Sequence, residues 1–166
     1  MLPAAFDDAG EFLADAAAFD AAGADALWLA AGAGEAEVLI LLGAVAGVAR
    51  RAHLGVALGS TEAWPPELLE RATATLRRLS RGRTVFVTRG ELGETLELDS
   101  GAGGGEAERW RVVPAPESRA AWSDTLAAAK EAGMTGVMVP ASPRLLDILR
   151  NPDPGEGRRD LLLAQG

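Results

Sequence analysis

Pro65-Pro66-Glu67-Leu68-Leu69-Glu70-Arg71-Ala72-Thr73-Ala74-Thr75-Leu76-Arg77-Arg78-Leu79-Ser80-Arg81-Gly82-Arg83 runs directly into Thr84-Val85-Phe86-Val87-Thr88. The first part reads as a helix opened by proline, whose fixed φ suits a first turn, and closed by a basic turn. The second part is a short apolar run after a glycine, the pattern of a buried strand. Upstream the alternation repeats. Phe12, Leu13, Ala16 and Phe19 fall at helical spacing within Glu11 to Ala22, with Gly23 as a stop. Asp25 to Ala30 reads as a strand, Glu35 to Arg51 as a helix apolar nearly all round and so packed on two sides, and His53 to Leu58 as the next strand. Short apolar strands separated by helices predict a parallel sheet of right-handed β-α-β units. Leu2 to Phe6 offers a weak first strand, weakened further by Pro3.

The pattern then changes. Glu94 to Leu98 and Arg109 to Val113 alternate with a period of two around a glycine-rich tip, Ser100 to Gly105, which predicts a half-exposed hairpin over about residues 94–113. Gly103-Gly104-Gly105 follows no strand-to-helix pattern and is no phosphate loop. Ser118 caps a predicted helix that stops at Gly133, Gly136 to Pro140 reads as a last strand, and Ser142-Pro143-Arg144 opens a final helix. The expected organisation is one domain over residues 1–150, followed by a turn-rich tail over 151–166.

Composition excludes several function classes. With 166 residues, 48% hydrophobic and 24% charged, the chain is expected to bury a real core. A net charge of -8 argues against nucleic acid or an anionic membrane as a partner, since both call for clustered Lys and Arg. The absence of cysteine removes disulfides, thiolate metal sites and a cysteine nucleophile, and a single histidine, His53, removes a His-rich metal cluster. The longest apolar run, Val38 to Ala49, is far short of the ~20 residues that cross a bilayer. The N-terminal residues show no signal-type apolar core, so a soluble, cytoplasmic protein is expected.

The run Pro65 to Thr88 resembles the signature helix and following strand of the luciferase-like flavin-dependent monooxygenases. Ala24 to Leu29 is similar to that family's second strand, Arg51 to Val56 to its third, and Ala128 to Val139 to its late helix-strand unit. The similarity covers about residues 11 to 88 and this later unit. It implies a TIM-type β/α barrel, here a partial, truncated one with about five parallel strands and an inserted hairpin, because a full barrel takes roughly 250 residues. It further implies FMN or a deazaflavin coenzyme, a small organic substrate and oxidoreductase (monooxygenase) chemistry carried by the flavin. A non-catalytic relative that binds flavin or acts as an interaction subunit is the alternative. Open strand edges predict a homodimer or a complementary subunit.

In such folds functional groups collect at the C-terminal ends of the parallel strands. That selects Ser60, Thr61, Glu62 and Trp64, then Thr88 and Arg89, then Ser142 and Arg144 as cofactor-binding candidates, with Gly32 and Gly34 on the same rim. Ser142-Pro143-Arg144 reads either as a phosphate-binding helix start or as an ordinary N-cap. Trp64 reads either as a surface for a flavin ring or as packing at a helix entrance. No acid, base or nucleophile is assigned. His53 begins its strand, at the opposite end from this rim, and reads as a bystander. The arginines at 77, 78, 81 and 83 offset a helix dipole. Trp28 reads as core, and Trp110 as cover for an interface.

Overall fold

The computed structural model describes residues 1–3, 6–30, 36–58, 65–83, 85–89, 94–98 and 108–151. The first half forms as its patterns dictate: α1 (Ala9–Ala21), β1 (Ala26–Ala30), α2 (Ala36–Val48), β2 (His53–Leu58), α3 (Pro66–Leu79) and β3 (Val85–Arg89). Asp8 starts α1 by accepting a bond from the Glu11 N–H at 2.8 Å, and Gly23, at φ 91°, ends the turn that follows it. The strands align in parallel in the order β1-β2-β3, with Ala26 opposite His53 and Leu54 opposite Val85. Leu27, Leu29, Leu54, Val56 and Leu58 share one core with Phe12, Ala16 and Phe19 of α1, Val38, Leu42 and Val45 of α2, and Leu69 and Leu76 of α3.

The second half contains β4 (Thr95–Leu98), β5 (Glu108–Val112), α4 (Arg119–Glu131), β6 (Gly136–Met138) and α5 (Pro143–Arg150). β4 and β5 pair antiparallel, as the alternation predicts, and β6 adds to β5 in parallel. This corrects the expected partial barrel. The described residues form two sheets of three strands, one wholly parallel and one mixed, and no run of five parallel strands. The hairpin is the reason: it gives β6 a partner of its own in β5. Of the weak first strand, Leu2 forms a parallel bridge with Leu29, Pro3 has no N–H to donate to a ladder, and residues 4 and 5 lie outside the described residues.

The N-terminal residues join the two sheets. Leu2 donates its N–H to Trp28 O at 2.8 Å, Ala141 donates to Met1 O at 2.7 Å, and the Met1 amine donates to Val139 O. A smaller core of Trp28, Leu96 and Met138, with Trp110 and Val112 against it, lies on the side of β1 away from the helices. Both sheets repeat one packing device. Trp28 sits in register with Gly55, and Trp110 with Gly136. A Cβ on Gly55 would lie 2.2 Å from the Trp28 ring, and one on Gly136 3.0 Å from the Trp110 ring. Each indole therefore lies on the bare backbone of the neighbouring strand. The two rings stand 6.2 Å apart, tilted by 56°. Trp110 thus packs within the chain, toward Trp28, where the sequence suggested cover for an interface.

Candidate functional site

The rim predicted from topology is only partly within the described residues. Ser60, Thr61, Glu62 and Trp64 lie outside them, as do Gly32, Gly34 and the glycine-rich hairpin tip. Thr88 and Arg89 close β3 opposite Ala57 and Leu58, at the C-terminal end of the parallel sheet. Ser142 and Arg144 follow β6 in the other sheet, so strand pairing does not bring the two pairs together. Ser142 is an N-cap: its backbone is extended and its Oγ accepts the Leu145 N–H at 3.1 Å. Arg144 donates from its guanidinium to Glu117 O at 3.1 Å. Both side chains are occupied in starting and anchoring α5.

The hollow beside Ser142 tests whether a flavin phosphate fits. It has a volume of about 350 Å³, an apolar floor that includes Leu2, Phe12 and Leu146, and Asp7, Asp8, Glu11 and Asp15 around it. Four carboxylates with no Lys or Arg among the lining residues would repel a phosphate. The residues around this helix start do not fit the phosphate of FMN or of a phosphorylated deazaflavin. Among the described residues, no cluster of three His, Asp or Glu could hold a metal ion.

A larger hollow, about 400 Å³, opens at the opposite, N-terminal ends of the strands, where His53 begins β2. Trp28, Trp110, Trp122, Leu126, Val137 and Leu149 give it mainly apolar walls. Its polar groups serve the fold. Glu108 accepts the Trp110 Nε1–H at 2.8 Å, Asp25 accepts the His53 N–H through its backbone carbonyl at 2.8 Å, and Thr135 accepts the Arg109 N–H on Oγ1 at 3.1 Å. Trp28 is only 1% exposed. What the hollow offers a ligand is mainly apolar contact.

The strongest electrostatics are spent within the chain. Buried Asp20 accepts three backbone N–H bonds, from Ala52 at 2.7 Å and from Arg50 and Arg51 at 2.9 Å. Burial raises its pKa by favouring the neutral form, but these three donors and the Arg51 charge outweigh it and hold the pKa below the usual value. Arg83 donates to Ala46 O, Ala52 O and Ser80 O at 3.0, 2.6 and 2.9 Å, tying the end of α3 to the end of α2. The sequence reading of Arg83 as structural agrees with these bonds.

The feature without an internal explanation is the outer face of α2 and α3. Val38, Leu42, Val45, Ala46 and Ala49 are buried beneath α2 and its end, while Ile40, Ala44 and Gly47 line the opposite, exposed side at i, i+4, i+7 spacing. Ile40 is 74% exposed. On α3, Leu68, Ala72, Thr75 and Leu79 repeat the same spacing, and Leu68 and Leu79 are 48% and 52% exposed. The two stripes adjoin: a Cβ on Gly43 would lie 3.7 Å from Leu79 Cδ1. α2 packs against α1, against α3 and against the sheet, in keeping with the expected packing on two sides, and leaves the side of Ile40, Ala44 and Gly47 uncovered. The uncharged run Val38 to Ala49 was the available signal for this face, because a helix apolar all round has more apolar surface than one core can cover. No known protein-family model, curated protein or solved structure matches this chain.

Proposed function

We propose that the chain is a non-catalytic interaction subunit that docks another protein chain on the outer face of α2 and α3. The observation that carries this reading is Ile40, 74% exposed in the middle of a helix with no charged residue from Val38 to Ala49. Single exposed apolar side chains are ordinary, but a contiguous stripe over two adjacent helices marks an interaction surface. The structural duties of Ser142 and Arg144, and the carboxylates beside them, support a binding role over flavin chemistry.

A flavin-dependent oxidoreductase acting on a small organic molecule is the second reading. It is supported by the resemblance of residues 11 to 88 and by the place of Thr88 and Arg89 at the C-terminal end of β3. Photo-crosslinking separates the two. Ile40→p-benzoylphenylalanine should yield a discrete protein adduct, identified by peptide mapping, that disappears when Leu79→Asp is added. Glu131→p-benzoylphenylalanine, on the exposed end of α4, should yield none. Equal crosslinking from both positions, or none from either, overturns the interaction reading. Stoichiometric quenching of FMN fluorescence by the purified protein would favour the oxidoreductase.

A further inference from the structure

We infer that the hollow at the N-terminal ends of the strands is a binding site for a flat aromatic molecule that carries no negative charge. It shares no lining residue with α2 or α3, so it stands apart from the interaction reading. It lies where the two sheets, which share no ladder, leave space between them. Ala26 and Trp28 of β1 line it from one sheet, and Trp110, Gly136 and Met138 line it from the other. At about 400 Å³ it falls within the range of small-molecule sites and is far larger than the water-sized voids of an ordinary core.

Three of the chain's four tryptophans, Trp28, Trp110 and Trp122, line it. Trp28 and Trp110 also pack toward each other, so by themselves they say little about a ligand. What points to one is a wall set in place before anything enters. Gly136 lets the Trp110 ring lie against the neighbouring strand, and Glu108 accepts its Nε1–H at 2.8 Å, which together fix the ring. Trp122 comes from a separate element, α4, and is only half-buried, and Leu126, one turn further along, is 43% exposed. A flat aromatic ligand gains apolar contact from such walls and has few side chains to order on binding.

Charge decides which aromatic molecules fit. Asp25, Glu108 and His53 are the titratable side chains of the hollow, and among the described residues no Lys or Arg lines it. The Met1 amine donates to Val139 O, and burial lowers its pKa to about 6, so it carries little charge at pH 8. A sulfonate, carboxylate or phosphate would lose its water beside two carboxylates and gain no cation in return. An uncharged ring meets no such cost, and a cationic one gains from the carboxylates and the indole faces.

N-phenyl-1-naphthylamine and 8-anilino-1-naphthalenesulfonate test the proposal, because they share one ring skeleton and differ by a sulfonate. At pH 8 the uncharged probe should saturate at one molecule per chain with a Kd of about 100 micromolar or tighter. It should shift the amide resonances of Asp25, Thr135 and Gly136 and leave those of Ala44 and Gly47 in place. The sulfonate should bind about tenfold more weakly or worse. Leu126→Arg adds a cation at an exposed position of the lining, so circular dichroism should show the fold unchanged and the sulfonate should gain about tenfold. Failure of the uncharged probe to bind, or shifts confined to Ala44 and Gly47, overturns the site. Equal wild-type affinity for the two probes, or no gain in Leu126→Arg, overturns the selection against anions. Ile40→Asp should alter none of these results, so either failure leaves the α2 and α3 reading standing.

Discussion

Asp20 shows how one residue can look catalytic in isolation and be structural in place. A buried carboxylate with a perturbed acidity is the kind of group that often marks an active site. Here all three of its bonds come from the backbone of residues 50 to 52, the turn that links α2 to β2. It holds the end of α1 against that turn, and Arg51 reinforces the contact by donating to Asp20 O at 2.8 Å and Ala21 O at 3.0 Å. Asp20→Asn keeps the shape and one acceptor oxygen but sets its NH2 against a backbone N–H that has lost its acceptor, and should cost about 2 kcal/mol at pH 7 in urea unfolding. The sign of the pH effect follows from the lowered pKa. An unfolded aspartate titrates near about 3.9, so the stabilisation is complete above that value and is lost as pH falls through the lower folded value. The gap between wild type and Asp20→Asn should therefore narrow below about pH 4. A gap that stays constant down to pH 2 would show that the charge contributes nothing.

At the scale of elements, α5 and α2 divide structural from functional roles. α5 is a short helix that starts on a serine cap and proline, packs Leu145 and Ile148 inward, and ends at Asn151. Arg119 pins its far end by donating to Asn151 O at 2.7 Å and to an Asp147 carboxylate oxygen at 2.6 Å. Every polar group at its start is used for starting it. Ser142→Ala should lower stability by about 1 kcal/mol in thermal or urea melts, the cost of a lost N-cap, and leave association through the α2 and α3 face unchanged. A loss of association at full stability would mean that Ser142 touches a partner. α2 is the opposite case. Its inner residues satisfy the core, and its outer residues satisfy nothing within the chain.

At the scale of the whole molecule, the N-terminal residues matter more than their length suggests. Met1 and Leu2 bond to β1 on one side and to the segment after β6 on the other, so they couple two sheets that share no ladder. Leu2 is also 3% exposed, within the larger core. Leu2→Ala should cost about 3 kcal/mol through the cavity it leaves. It should also speed amide exchange at Ala141, whose N–H bonds to Met1 O, more than at Val56 in the middle of β2. Equal protection at both sites would show that the sheets are held together elsewhere. Among the described residues, no helix is long and apolar enough to cross a membrane.

The elements themselves were written in local sequence. Pro66 starts α3, Ser118 and Ser142 cap α4 and α5, and Gly23 and Gly133 follow the helices they end, at φ 91° and 69°. Each of these signals acts over a few neighbouring residues, so a reading of neighbours finds it. The hairpin was legible for the same reason, through the alternation of Thr95 to Leu98 and Glu108 to Val112. Which strands share a sheet depends on partners far apart in the chain. The expected five-stranded parallel barrel gave way to two sheets because β5 took β6 as its neighbour, a choice no local pattern encodes. The sites divide in the same way. The N-cap of Ser142 was among the readings its sequence allowed, whereas the Arg144 bond to Glu117 O joins residues 27 apart and appears only on folding. Composition alone made α2 apolar nearly all round, and only the tertiary structure decided which side the core would use and that Ile40 would face outward. Hydrophobicity is a property of the residue, but burial is a property of everything packed around it.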